Sequence, residues 1–243
     1  MNWAAPLVPA VFVSRQNRFA AQARINGDEV ACHVPNPSHL RDLLDPGARV
    51  FLLPATGDHR KLQYDLVAVQ CPRGLVSVDT RVPNRLFVEG FVKRSFAEFS
   101  GDCALKPEIA VGRSRLDFEL TAPLRRGPVT RGNPRGMPRR TLVEVKSCTL
   151  ARDGFGYFPD PASERASRHM NELANAARRG LRAFVFFLMQ RMDASALVPN
   201  DSIDPEFGRA FRRALKAGVE ARAFRCRVSM RGVELAGPVE ILT

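Results

Sequence analysis

The run RAFVFFLMQ, residues 182–190, sets the tightest limit on the fold. Its apolar stretch AFVFFLM, 183–189, is far too short to span a bilayer, which takes about 20 residues, and reads instead as a buried strand. A helix precedes it. Asp160-Pro161 offers an Asp N-cap with Pro at the first helical position, Ala162, Ala166, Met170, Leu173, Ala174 and Ala177 form an apolar stripe, and Gly180 ends the helix. Before that helix, TLVEVKSCTL (141–150) reads as another strand. Strand, helix, strand in this order is a βαβ unit with parallel pairing. A second helix from Asp204-Pro205 buries Phe207, Ala210, Phe211, Ala214 and Leu215 and stops at Gly218, and VEARAFRCRVSM (219–230) is a further strand.

The first third is punctuated differently. RFAAQARI, Asn26-Gly27 and DEVACHV spell a hairpin with a type I′ turn. RVFLLP (49–54), LQYDLVAVQ (62–70) and LVSVDT (75–80) follow, each bounded by Gly, Pro or Asp. Five short strands in this span suggest a small barrel such as an OB-fold, with a compact sheet of another topology as the alternative. A helix after Asn84, a possible N-cap, carries Val88, Phe91, Val92, Ser95, Phe96 and Phe99 at helical spacing. The expected division is 1–83 for the barrel and 84–243 for a mixed-sheet α/β domain.

The formal net charge is +12, from 37 Lys and Arg against 25 Asp and Glu. Such an excess points to a polyanionic partner, nucleic acid above all, or else to a solvated basic surface. The five cysteines form no C-x-x-C pair and fit reduced thiols in the cytoplasm. The N-terminal stretch has no basic region before its apolar residues, so neither a cleaved signal nor a membrane anchor is expected.

RSRLDFELT (113–121) alternates, placing Arg115, Asp117 and Glu119 on one face. On the next strand Glu144 and Lys146 share a face. An acid followed by (D/E)-x-K on the neighbouring strand is the pattern of the PD-(D/E)XK nuclease fold; a structural ion-pair network is the competing reading. Paired carboxylates repel, and a divalent cation removes that cost. Mg²⁺ takes oxygen ligands and keeps several waters, one of which becomes a nucleophile when the metal lowers its pKa. Lys146 would orient that water and hold a phosphate oxygen, and the Val145 carbonyl would add a ligand. Between the two strands, LRRGPVTRGNPRGMPRR (124–140) puts Arg125, Arg126, Arg131, Arg135, Arg139 and Arg140 among glycines and prolines. It is either a loop that wraps a phosphate backbone or a solvated insertion.

These residues resemble a known family. GRSRLDFEL, VEVKSCTL, FPDPASERASRHMNEL and FFLMQRMD, with HVPNPSHL, DTRVPNRL and DPEFGRAFRRALKAGVEARAF, are similar to the sugar fermentation stimulation protein A family over nearly the whole chain. Three departures stand out: Asn36-Pro37-Ser38 replaces the usual Asn-Thr-Gly, Arg165-Ala166-Ser167-Arg168-His169 stands where the helix usually reads RGxKH, and the arginine-rich insertion is longer than the family's usual connection. The resemblance implies an N-terminal OB-fold, a C-terminal nuclease-like α/β domain and DNA binding, with DNA preferred over RNA as partner. By position it matches Asp117, Glu144 and Lys146 to the nuclease-type set and Glu108 to an upstream acid that would complete the metal site. The expected cofactor is Mg²⁺ or Mn²⁺. Expected nucleic-acid contacts are Arg15, Arg18 and Arg115, the loop arginines, and Arg165, His169 and Gln190, with Arg24, His33, Arg168 and Arg191 as further candidates. The function expected is nucleic-acid binding with metal-dependent phosphodiester hydrolysis. The alternative is a non-catalytic DNA-binding regulator of sugar metabolism genes. Oligomeric state, including a homodimer, stays open.

Overall fold

The computed structural model describes residues 1–56, 60–99, 103–122 and 139–243. Strands β1 (Val8–Asn17), β2 (Ala20–Ile25), β3 (Asp28–His33), β4 (Arg49–Pro54) and β5 (Tyr64–Cys71) wind into a closed OB-like barrel. The antiparallel order β3-β2-β1-β4-β5 is closed by a parallel contact of β3 with β5 at His33 and Asp65. Strand β6 (Gly74–Ser77) extends the rim beside β5. The β2–β3 turn places Asn26 and Gly27 at φ 51° and 103°, the left-handed pair that a type I′ turn demands.

Strand β1 is not expected from its sequence, because Pro9 interrupts it. Val8–Ala10 pair only with β4, while β2 takes the strand from Val11 onward. One flank of Pro9 thus carries no ladder, and the missing N–H is tolerated there.

The remaining elements are α1 (Val82–Val92), β7 (Ala104–Val111), β8 (Ser114–Ala122), β9 (Arg139–Cys148), β10 (Ala151–Arg152), β11 (Phe155–Phe158), α2 (Glu164–Arg178), β12 (Arg182–Met189), β13 (Ala196–Pro199), α3 (Pro205–Lys216), β14 (Glu220–Val228) and β15 (Val233–Ile241). Among the described residues these strands form one mixed sheet in the order β10-β11-β13-β15-β14-β12-β9-β8-β7. Strands β9, β12 and β14 are parallel neighbours, as the βαβ reading requires, and β8 runs antiparallel to β9.

Two helix starts differ from expectation. Helix α2 is capped by Ser163, whose hydroxyl accepts from the Ala166 N–H, while Asp160-Pro161 lies upstream across a cis peptide bond. Helix α1 begins at Val82, so Asn84 sits inside its first turn and caps nothing. The same helix stops at Val92, and Arg94 takes a left-handed φ of 57° just beyond it. Phe96 and Phe99 therefore reach the core from a turn and a short 3₁₀ segment. Helix α3 starts as expected: Asp204 accepts from the Phe207 N–H, and its other oxygen takes the Ser163 N–H, tying the two helix starts together.

Strand β12 shows why its sequence is apolar on both faces. Phe184, Phe186 and Leu188 enter one core; Val185, Phe187 and Met189 enter the other, beneath α2 and α3. The first core also contains Trp3, Leu7, Phe51 and Val67 from the barrel half, so α1 packs into apolar surface shared by both halves. Phe87 of α1 lies at its centre, 5.0 Å from Phe118 and 5.1 Å from Phe186 between ring centroids. Trp3 reaches across to the far end of the chain, its indole N–H donating to the Ser229 carbonyl at 2.9 Å.

Candidate functional site

The β8–β9 ladder runs from Ala122↔Arg139 to Phe118↔Val143 and then ends. The next residues in that register are Asp117 and Glu144. The freed Val145 N–H donates to Asp117 Oδ2 at 2.8 Å. Asn84 of α1 donates to Oδ1 at 2.9 Å. The Asp117 carboxylate is thus clamped from strand and helix together. Lys146, on the same face of β9 as Glu144, donates to Glu144 Oε1 at 2.6 Å. His169 of α2 places Nδ1 2.5 Å from that same oxygen, while its Nε2 accepts from Arg165 Nε at 3.4 Å. Both contacts fall on Oε1. Oε2 is buried and has no hydrogen-bond partner among the described residues.

The two acids are held in opposite electrostatic states. Burial pushes Asp117 above the usual carboxylate range and the neighbouring Glu144 charge adds to it, against the Val145 N–H, Asn84 and Lys146. Burial pushes Glu144 upward too, but Lys146 and His169 outweigh it and hold that carboxyl below its ordinary value. Repulsion within a buried acid pair is relieved by a cation between them. Among the described residues no group of three or more His, Cys, Asp or Glu is placed to hold a metal ion, and the donors this pair offers are carboxylate oxygens. Such a set suits a hard ion that keeps much of its own water, and not a zinc cage.

Several expected contact residues are committed elsewhere. Arg15 spends all five of its donors on backbone carbonyls, those of Asn17, Arg18, Asn36, Ser38 and His39, and so fastens a loop and binds no phosphate. His169 is 1 % exposed and belongs to the acid cluster, not to a nucleic-acid surface. Gln190 is fully buried; its amide nitrogen donates to the Asp79 carbonyl and to Ser147 Oγ, stitching barrel to sheet. Arg191 is buried as well, held by Thr149 and Asp193. The reason is shared: each side chain meets backbone or carboxylate groups brought near by the fold, and sequence spacing does not show them.

Glu108 lies across the β7–β8 ladder from Asp117, between Pro107↔Phe118 and Ile109↔Leu116. Its backbone is left-handed, φ 53°, and its exposed carboxylate meets Arg115 at 3.1 Å, outside the hydrogen bonds of the acid cluster. Arg140 pairs with Glu119, and Arg24 with Glu29. Arg18, Arg139, Arg165 and Arg168 are exposed. Arg125, Arg126, Arg131 and Arg135 lie outside the described residues. Their flanks, Ala122 and Arg139, stand five residues along the strands from Asp117 and Glu144 respectively, roughly 17 Å at strand rise.

Sequence reasoning missed a second carboxylate centre. Asp65 of β5 is 3 % exposed. Its Oδ1 accepts from Arg60 at 2.6 Å and lies 3.1 Å from His33 Nδ1, and its Oδ2 accepts from Arg81 at 2.8 Å. Arg81 also holds Asp79 at 2.6 Å. Burial pushes Asp65 up, yet Arg60, Arg81 and His33 prevail and keep it below the ordinary value. Asn84 was missed in the same way, its partner lying 33 residues further on.

With this geometry established, comparison with known proteins gives one consistent result. Residues 13–78 match the family model for the SfsA N-terminal OB domain, and residues 81–232 match the sugar fermentation stimulation protein RE domain. A sugar fermentation stimulation protein homolog of Moorella thermoacetica is 40 % identical over 98 % of this chain and 97 % of its own length. A homolog from Chloroflexus aurantiacus is 38 % identical, covering 98 % of this chain and 86 % of its own. Among solved structures, Pyrococcus furiosus SfsA in complex with Ca²⁺ superposes with a TM-score of 0.87 at 28 % identity, covering 100 % of this chain and 98 % of that one.

Proposed function

The chain belongs to the sugar fermentation stimulation protein family, and from that premise we propose that it binds nucleic acid and hydrolyses phosphodiester bonds, using Asp117, Glu144 and Lys146 with Mg²⁺ or Mn²⁺. The observation that carries this reading is the bare, buried Oε2 of Glu144 beside the clamped carboxylate of Asp117. A buried carboxylate oxygen without a donor is costly, and an ion held with Asp117 satisfies it. The Ca²⁺ complex of the P. furiosus relative supports a divalent ion on this scaffold.

Asp117, Glu144 Oε2 and the Val145 carbonyl would hold the ion, which supplies positive charge against the phosphoryl oxygens and activates water for attack. Asn84 and the Val145 N–H fix the orientation of Asp117. His169 and Lys146 hold Glu144 by one oxygen and leave the other unpaired, where it would take the ion. The Lys146 ammonium, beside both acids, faces the charge that develops on the phosphate. The basic surface holds the polyanion.

A regulator that binds DNA without cutting it needs the basic surface but no buried, mutually repelling acids. The acid pair favours the enzyme. The deciding experiment is cleavage of end-labelled DNA and RNA with Mg²⁺ or Mn²⁺, by the wild type and by Glu144→Gln. Cleavage that needs metal and vanishes in the variant is expected. Nucleic-acid binding with no cleavage under either metal would give the regulator reading its place.

A further inference from the structure

We propose that the barrel presents one unpaired nucleic-acid strand to the acid pair, a base stacking on Phe19 and the backbone passing Arg60 and Arg81. This rests on the phosphodiester reading above and names its substrate class.

Phe19, in the β1–β2 turn, is 48 % exposed. A large aromatic ring left in water forgoes burial energy, and the turn that carries it is not loose. Its N–H donates to Asn17 Oδ1 at 2.8 Å, and its carbonyl accepts from the Val34 N–H at 2.9 Å. Arg15 grips the carbonyls of Asn17 and Arg18 just before it. The fold holds this ring outward. Beside it the Arg18 guanidinium lies 5.6 Å from the ring centroid, and the His33 imidazole stacks at 6.5 Å with a 26° interplanar angle. A fixed aromatic edged by cations stacks bases of any sequence, but only bases freed from pairing.

Side-chain contacts lead from this platform to Arg81, and α1 leads from there to the acids. His33 meets Asp65, whose carboxylate also holds Arg60 and Arg81. Those two arginine side chains are 35 % and 44 % exposed, so each keeps a face for a phosphate. Arg81 directly precedes α1, whose Asn84 clamps Asp117. The destination is recessed: Glu144 is 2 % exposed, and the Lys146 side chain 11 %. A single strand, with every backbone torsion free, can bend a phosphate into such a recess. A duplex is stiff over many turns and cannot do so unmelted.

The test uses the full chain in EDTA and fluorescence anisotropy with labelled oligo-dT, oligo-rU and a mixed-sequence duplex, each of about 20 nucleotides, long enough to cover an OB-fold site. Wild type should bind a single strand more tightly than the duplex. Phe19→Ala should weaken that binding about 10-fold, the worth of one stacked base, while duplex binding moves less than about two-fold. Phe19→Trp should restore it, and the dT and rU arms tell DNA from RNA. The inference is overturned if the duplex binds better, or if Phe19→Ala leaves strand binding intact or weakens strand and duplex alike. Wild type that binds none of the three probes would instead defeat the underlying reading.

Discussion

Asp65 and Glu144 are both buried carboxylates surrounded by cations, and the fold treats them oppositely. Asp65 has both oxygens bonded, by Arg60 and His33 on one and Arg81 on the other. Glu144 has Lys146 and His169 crowded onto one oxygen and nothing among the described residues on the second. The first is a closed network, which fastens β3 and β5 to the start of α1. The second is closed on one side only. Burial and cationic neighbours are common to both; the oxygen left over is what makes Glu144 the candidate ligand.

Exchanging the two acids for their amides should separate them cleanly. Glu144→Gln should lower metal-dependent cleavage about 1000-fold or more, with Asp117→Asn equally damaging, because each removes a charged ligand of the ion that meets the developing phosphoryl charge. Asp65→Asn should leave the rate at saturating substrate nearly unchanged, its cost falling on strand binding through the arginines it holds. Rates measured on samples normalised for folded fraction check this, and a dead Asp65→Asn enzyme would erase the distinction. Lys146→Ala comes next: about 100-fold or more in rate, with metal affinity falling no further than in His169→Gln, since both side chains hold only the Oε1 of Glu144. His169→Gln should weaken Mn²⁺ binding about 10-fold, the usual scale for a residue that orients a ligand, as read by calorimetric titration without any substrate.

The smallest effect is on stability. Asp65→Asn should cost about 1–3 kcal/mol in urea unfolding at neutral pH, because guanidiniums in the network lose their acceptor. This loss should depend on pH in a defined direction. Asp65 is held below its ordinary value of 3.8 in the fold. Its contribution is therefore complete above that value and fades as pH falls through the lower, folded one. Wild type and variant should converge in acid; a gap that widens there would contradict the network.

The sequence made one part of this legible for a simple reason. Period-2 alternation alone puts Glu144 and Lys146 on one face of β9, and the strongly apolar β12 could only be its buried neighbour. Asp117 followed from the alternation of β8 and the acid-then-(D/E)-x-K pattern, while the register that sets it against Glu144 is visible only in the fold. His169, Asn84 and Asp65 were beyond local reading, since their partners lie 25, 33 and 32 residues away for His169–Glu144, Asn84–Asp117 and His33–Asp65. Arg15 misled because an exposed-looking arginine in a basic chain suggests phosphate, whereas here five carbonyls consume it. Four of the missed strands share another cause: β1, β7, β13 and β15 all contain proline, which reads as a strand breaker unless one flank is known to be unpaired, whereas β10 and β11 are too short to show a period.

The seat of Trp3 has a consequence for how the molecule is made. Its indole bonds Ser229, 226 residues later, and its N–H bonds Arg231. A ribosome adding about 5–20 residues per second needs roughly 10–45 s to reach that partner. All five strands of the barrel are synthesised long before then. A barrel that closed at that stage would carry an unseated tryptophan and a bare flank, at Leu7, Phe51 and Val67, until the sheet covered them. That interval is when a chaperone has something to hold, and when a premature stop would leave a finished-looking barrel with a sticky side.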